Sequence, residues 1–383
     1  MTEPTTYVLE HARLVLPDRV VADGWLAVED GRIAEIGEGR APERGFDLSG
    51  DHLIPGLVEL HTDHLESHFS PRPNVRWHAL ASVMAYDAQI ASAGITTVFD
   101  SLRAGSDIDI KTIGADLMTL ADAIALARGS GHLRAEHRTH IRCEIATPDV
   151  AEHLDAFLVH HGVDLMSLMD HTPGQRQFRD IETWKSFYIR RKDVSEAHVE
   201  RLIGERLEMH TLYAERHRAR LIEIARAHGI VLASHDDATA GHAAEAAANG
   251  VAIAEFPTTI EAAEALRAAG IAVMMGGPNI VRGGSHSGNI AAAELARAGL
   301  LDILSSDYVP ASLLLSAFEL PHRVPEIDLA KAIRTVTANP AAVTGLLDRG
   351  SLEAGKRADL VRVALVGTIP VVREVRREGR RVS

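Results

Sequence analysis

The chain has 383 residues, 46% hydrophobic and 24% charged, an ordinary balance for a soluble globular protein able to bury a large core. A formal net charge of -13 argues against a general nucleic-acid or membrane-surface binder, although a local group of arginines can still hold phosphate. The single cysteine, Cys143, rules out an internal disulfide and fits a reducing compartment. No basic stretch followed by an apolar core opens the chain, so no secretory signal is expected, and no apolar run reaches the length of a membrane span.

Residues 5–50 read as short strands, with breaks at Asp23-Gly24 and Asp30-Gly31, dipeptides suited to hairpin turns. From about residue 53 the pattern changes to short apolar strands alternating with Ala-rich helical stretches. Strands are expected at 53–60, 95–100, 139–145, 163–169, 230–234, 251–256, 271–275 and 301–306. Helices are expected at 111–128, 151–160, 195–228, 241–249, 260–269 and 290–298, several ending at a glycine: Gly129, Gly229, Gly250, Gly270 and Gly299. Residues 174–217 form the most charged insertion, either a lid or a solvated helical face. Residues 350–383 return to a β pattern and are expected to complete the sheet begun by the first fifty.

Eight strands alternating with helices is the count of a closed parallel barrel. The expected fold is α/β: a (β/α)8 TIM-like barrel over 53–349, beside a small β-sandwich domain formed by both chain ends, 1–52 plus 350–383. An open doubly wound sheet is the competing architecture. Neither GxGxxG nor GxxxxGK[ST] occurs, which removes support for its nucleotide-binding form.

The chemistry is expected where strands end. His61 and Asp63 follow the apolar run LIPGLVEL, and residues two apart on a strand point the same way, so both can reach one metal. Glu144, the pair Asp170 and His171, the triplet His235, Asp236 and Asp237, and Asp307 end four further strands, and a barrel brings such residues to one face. A lone carboxylate there can be a helix cap, as Asp170 can. Two ions ~3.5–4 Å apart can activate water between them, with Glu144 bridging and Asp307 moving the proton to the leaving group. Zinc suits these ligand types, and manganese or iron binds similar groups. A third feature is basic: Arg72, Arg176 and Arg282, the last in GGPNIVRGGSHSGN, where Ser285, Ser287 and the backbone N–H groups suit an anion.

At these residues the chain resembles the amidohydrolase superfamily: IPGLVELHTD, a late strand-end Asp in SSD, and GSLEAGKRADLV. LMDHTPGQRQF, ASHDDAT, IAEFPTT and LDILSSDYVPASLL are similar to the PhnM-type enzymes of the carbon–phosphorus lyase pathway, over about residues 50–360. That resemblance implies a cytoplasmic diphosphatase converting α-D-ribose 1-methylphosphonate 5-triphosphate to the 5-phosphate and diphosphate. It implies His61, Asp63, Glu144, His171, His235 and Asp307 as metal ligands. Arg72, Arg176 and Arg282 become phosphate partners, and a homodimer is expected. Asp63 stands where many amidohydrolases carry a second His, and Glu255 where many carry one after the sixth strand. Two rival functions are weighed: hydrolysis of a C–N bond in a cyclic amide or aminated base, and a non-catalytic barrel serving as an assembly partner.

Overall fold

A computed structural model describes residues 6–106, 113–178, 180–182, 184–185, 189, 195–285 and 288–383. The chain ends form a sheet of β1 (Thr6–Val15), β2 (Val20–Glu29), β3 (Arg32–Glu38), β4 (Phe46–Asp47) and β5 (His52–Pro55) from the N-terminal side. The eight parallel strands are β6 (Leu57–Thr62), β7 (Ile95–Ala104), β8 (Glu136–Glu144), β9 (Leu165–Met169), β10 (Val231–His235), β11 (Ile253–Glu255), β12 (Ala272–Gly276) and β13 (Ile303–Ser305). Strands β14 (Leu360–Val366), β15 (Ile369–Arg377) and β16 (Arg380–Arg381) return to the first sheet.

The end sheet has the order β16-β15-β14-β5-β1-β2-β3, with β4 on β1. Asp30 and Gly31, at φ 48° and 78°, make the tight turn between β2 and β3, as the dipeptide suggests. Asp23-Gly24 does not turn. Gly24 lies inside β2 opposite Ala12, at an irregularity of the β1–β2 ladder. A Cβ there would stand 2.6 Å from Leu14 Cδ1, so this glycine serves close strand approach. Leu9, Leu14, Leu26, Ile33, Leu53 and Leu360 pack as the core of this sheet. Its membership includes His52–Pro55, so the single strand expected at 53–60 is two, this one and Leu57–Thr62 of the other sheet. Gly56 is the break, because a Cβ at that position would fall 2.2 Å from Thr96 Oγ1.

The second sheet runs in chain order, β6 through β13, and is the eight-stranded parallel barrel expected. Most of its strands are short apolar runs, and every residue of β6 is buried, as befits strands covered on both faces, while β8, EHRTHIRCE, buries mainly polar groups. The connecting helices follow their caps. Ser195, Thr239 and Thr259 accept through their hydroxyls the N–H of His198, His242 and Ala262 respectively, each bond worth about 1 kcal/mol. Gly229 and Gly250 close their helices in the left-handed region. Gly129 does not stop its helix, which continues to Ser130. The charged insertion holds a short turn, Arg176–Phe178, and the long helix Glu196–His228. Helices at Ala79–Ser92 and Ser312–Arg323 had not been expected. Among the described residues no helix is long and apolar enough to cross a membrane.

The chain divides into two compact units: Met1–Asp100 with Ile124–Arg138 and Met275–Ser383, and Ser101–Ala123 with Thr139–Met274.

Candidate functional site

In the first unit the ends of β6 and β13 carry one cluster. Thr62 and Asp307 form a parallel bridge. The Asp307 N–H donates to the His61 carbonyl and the Asp63 N–H to the Asp307 carbonyl, both at 3.1 Å. These two bonds set His61, Asp63 and Asp307 side by side, with one nitrogen or oxygen from each within 4.8 Å of the others. Asp63 stands at the start of the His64–Phe69 helix, yet its side chain makes no cap bond. Asp307 adopts φ 54°, the left-handed region that Asp tolerates better than most residues.

Beneath this cluster lies Glu59, which the sequence reading passed over. It is fully buried. Its Oε1 accepts the His61 N–H at 2.7 Å and its Oε2 the Ser306 N–H at 2.6 Å, so one carboxylate ties β6 to the segment carrying Asp307. Burial pushes its pKa up to about 7, against the pull of these N–H groups. A lone Glu inside LIPGLVEL, two residues before His61 and on the same strand face, was the available signal.

The second unit carries another cluster at the ends of β9 and β10: His171, His235 and Asp236, again with ligand atoms within 4.8 Å of one another. Each histidine is oriented by a carboxylate. His171 Nδ1 lies 2.5 Å from Glu144 Oε2, and the His171 backbone N–H donates to Glu144 Oε1 at 3.0 Å. His235 Nδ1 lies 2.9 Å from Glu255 Oε2. This leaves both Nε2 atoms on the Asp236 side, at 4.0 and 3.4 Å from its Oδ2. That oxygen is buried without a hydrogen-bond partner among the described residues. Two imidazole nitrogens and a buried carboxylate oxygen, converging with no proton to share, fit a borderline divalent cation. Burial alone would lower the His171 pKa, but Glu144 and then Asp236 raise it.

The structure thus sorts the alternatives left open at two strand ends. Asp170 faces away, holding His210 Nδ1 at 3.0 Å and the Thr172 N–H at 3.2 Å. Asp237 binds Arg176 and Ser234. Glu144 is the hydrogen-bond partner of His171 and belongs to neither cluster.

The basic residues separate as well. Arg176 is buried and commits its guanidinium to Asp237 and to Glu245, the latter at 2.7 Å, so its geometry lends a phosphate role no support. Arg72 is exposed in the loop after the first helix, and Arg282 is exposed in the last turn of Gly277–Arg282. Ser285 is half-buried, while Ser287 lies outside the described residues.

A family model described as Amidohydrolase family matches residues 196–379. The chain is 43% identical over 378 residues to the alpha-D-ribose 1-methylphosphonate 5-triphosphate diphosphatase of Escherichia coli (strain K12), covering 98% of this chain and 100% of that protein. Its fold is similar to N-isopropylammelide isopropylaminohydrolase from Burkholderia multivorans ATCC 17616, with a TM-score of 0.65, 19% identity and 98% of each chain covered. N-acetyl-D-glucosamine-6-phosphate deacetylase from Mycobacterium smegmatis gives a TM-score of 0.66 at 17% identity, over 98% of this chain and 100% of that one. At such identities these two speak for the fold alone. With a nearly full-length relative at 43% identity, the chain belongs to the amidohydrolase family, in the branch of that diphosphatase.

Proposed function

We propose that this protein is a metal-dependent diphosphatase that hydrolyses α-D-ribose 1-methylphosphonate 5-triphosphate to the 5-phosphate and diphosphate, within phosphonate catabolism in the cytoplasm. The observation that carries this reading is the 43% identity spanning 98% of the chain and the whole of the relative. The two clusters support it, since each offers a ligand set that a divalent ion would take.

In this reading His61, Asp63 and Asp307 hold one ion, and His171, His235 and Asp236 hold another. Zinc suits the ligand types, with manganese and iron as the alternatives to be tested. A divalent ion supplies a Lewis acid and lowers the pKa of water to about 7. Asp307 takes the proton of the attacking water on its carboxylate and returns it to the departing diphosphate. One anhydride P–O bond breaks between the first and second phosphates, and one P–O bond to the water oxygen forms. Arg72, Arg282 and Ser285 bind phosphate oxygens, where guanidinium groups and N–H donors stabilise developing charge. Glu144 and Glu255 keep His171 and His235 in the tautomer that turns Nε2 toward Asp236.

The test is phosphorus NMR of the metal-loaded protein with the ribose triphosphate, beside Asp307→Asn. Diphosphate release by the wild type and its loss in the variant are expected. Absence of release from a protein with bound metal would reject the substrate, and turnover of hydantoins or aminated bases instead would establish the C–N hydrolase.

A further inference from the structure

A buried line of polar groups crosses five strands of the second unit and ends at His235. Ser101 Oγ on β7 lies 3.1 Å from His140 Nδ1 on β8. His140 Nε2 makes a short contact with Ser167 Oγ on β9. The Ser167 hydroxyl donates to Glu255 Oε2 on β11 at 2.8 Å, and the same oxygen lies 2.9 Å from His235 Nδ1 on β10. His140, Ser167 and Glu255 are fully buried, and Ser101 and His235 are each 5% exposed.

The chemistry of the donors gives this line a direction. A carboxylate only accepts, so Ser167 spends its single hydroxyl proton on Glu255. Ser167 Oγ must then accept from His140, which requires the proton on Nε2. His140 Nδ1 is left as an acceptor, and Ser101 supplies its hydrogen. Nε2 of His140 also lies 3.7 Å from Glu255 Oε1. Every donor points toward Glu255. With Oε2 held in place by Ser167, Glu255 accepts Nδ1–H from His235 and turns Nε2 of that ring toward Asp236, 3.4 Å away.

We infer that His140 and Ser167 are positioning residues for the ion held by His235. Acting through Glu255, they fix the tautomer and ring orientation of His235. This rests on the reading of His235 as a metal ligand, and it extends the orienting shell beyond the carboxylate to His140 and Ser167.

The experiment uses the full-length protein and reads two quantities besides activity: the affinity for zinc, by competition with a chelator, and the His235 tautomer in the metal-free protein, by histidine nitrogen NMR. His235→Asn assigns the resonance. In the wild type His235 is expected as the Nδ1–H form. In Ser167→Ala and His140→Leu a mixture of tautomers is expected, with zinc affinity about 10- to 100-fold weaker. Ser167→Cys keeps a weaker donor and falls between, which leaves the test readable if the alanine variant does not fold. Wild-type tautomer and zinc affinity in folded Ser167→Ala and His140→Leu would overturn the inference. Loss of folding in every variant of Ser167 and His140 would also overturn it, as a structural link alone would then explain the line. If His235→Asn binds zinc as tightly as the wild type, the ligand reading fails instead, and the two failures are told apart.

Discussion

Glu59→Gln removes the carboxylate that holds His61 and Asp307 in register while keeping its size. Gln retains one carbonyl oxygen, so it can accept one of the two N–H groups now bound at 2.7 and 2.6 Å. Its amide NH2 then faces the other N–H, donor against donor. A hydrogen bond to a charged group is worth about 1.5–3 kcal/mol, and a stranded buried donor costs about 1–3 kcal/mol. The bonds at 3.1 Å that join Asp307 to His61 and to Asp63 remain, so the strand ends stay joined. The expected loss is therefore about 2–4 kcal/mol, measured at pH 8, above the carboxyl pKa of about 7, where the acceptor is mostly ionised. Urea unfolding gives the stability, and chelator competition gives the affinity of the His61 cluster, expected to fall roughly 10- to 100-fold. Unchanged stability together with unchanged affinity would refute the clamp.

Three further outcomes are expected. His137 is buried between Asp100, at 2.9 Å, and Asp87, at 3.3 Å, with the Tyr86 ring beside it and Arg134 on the far side of Asp87. Burial would lower its pKa, but Asp100 and Asp87 raise it to about 9. A raised folded pKa gives stability that is full below about 6.5 and lost as pH rises through about 9, on the order of 3 kcal/mol. Melting temperatures of the wild type and His137→Gln should converge over that window, and a constant gap between them would refute it. Glu136→Gln removes the charge that Arg349 and Arg357 share, while Asp348 and Asp359 still pair them, and should cost about 1–3 kcal/mol by denaturant unfolding. Burial opposes ionisation of Glu136, yet the two arginines hold its pKa down to about 2, so its contribution is present above about pH 4.5 and fades as pH falls through 2. Gly56→Ala places a Cβ 2.2 Å from Thr96 Oγ1 and 2.9 Å from Asp359 Cβ, and should lower the melting temperature by the equivalent of about 1–3 kcal/mol. A melting temperature equal to wild type would show that Thr96 yields freely.

Local sequence determined most of the strands and pointed to several residues of the candidate clusters. Apolar runs, most of them preceded by glycine, placed the barrel strands to within a few residues, because strands buried on both faces tend to be apolar; β8 is the polar exception. A polar residue just past such a run stands at a strand end, and that logic singled out His61, Asp63, His171, His235 and Asp307. The Ala79–Ser92 and Ser312–Arg323 helices were harder to read, since neither begins with a side-chain cap of the Ser, Thr or Asp kind.

Tertiary structure decided which polar neighbour does what. Asp236 and Asp237 are adjacent and chemically identical in sequence. A positive φ at Asp236 sets its oxygen beside two imidazoles, while Asp237 is neutralised by Arg176. Arg176 likewise reads as an anion binder until its partners, the buried Asp237 and the half-buried Glu245, are seen. Glu59 meets Ser306 across 247 positions, and Ser167 meets Glu255 across 88, so no local pattern could announce either bond. Sequence periodicity reports which residues are buried; hydrogen bonds between distant strands exist only once the sheet has brought those strands together.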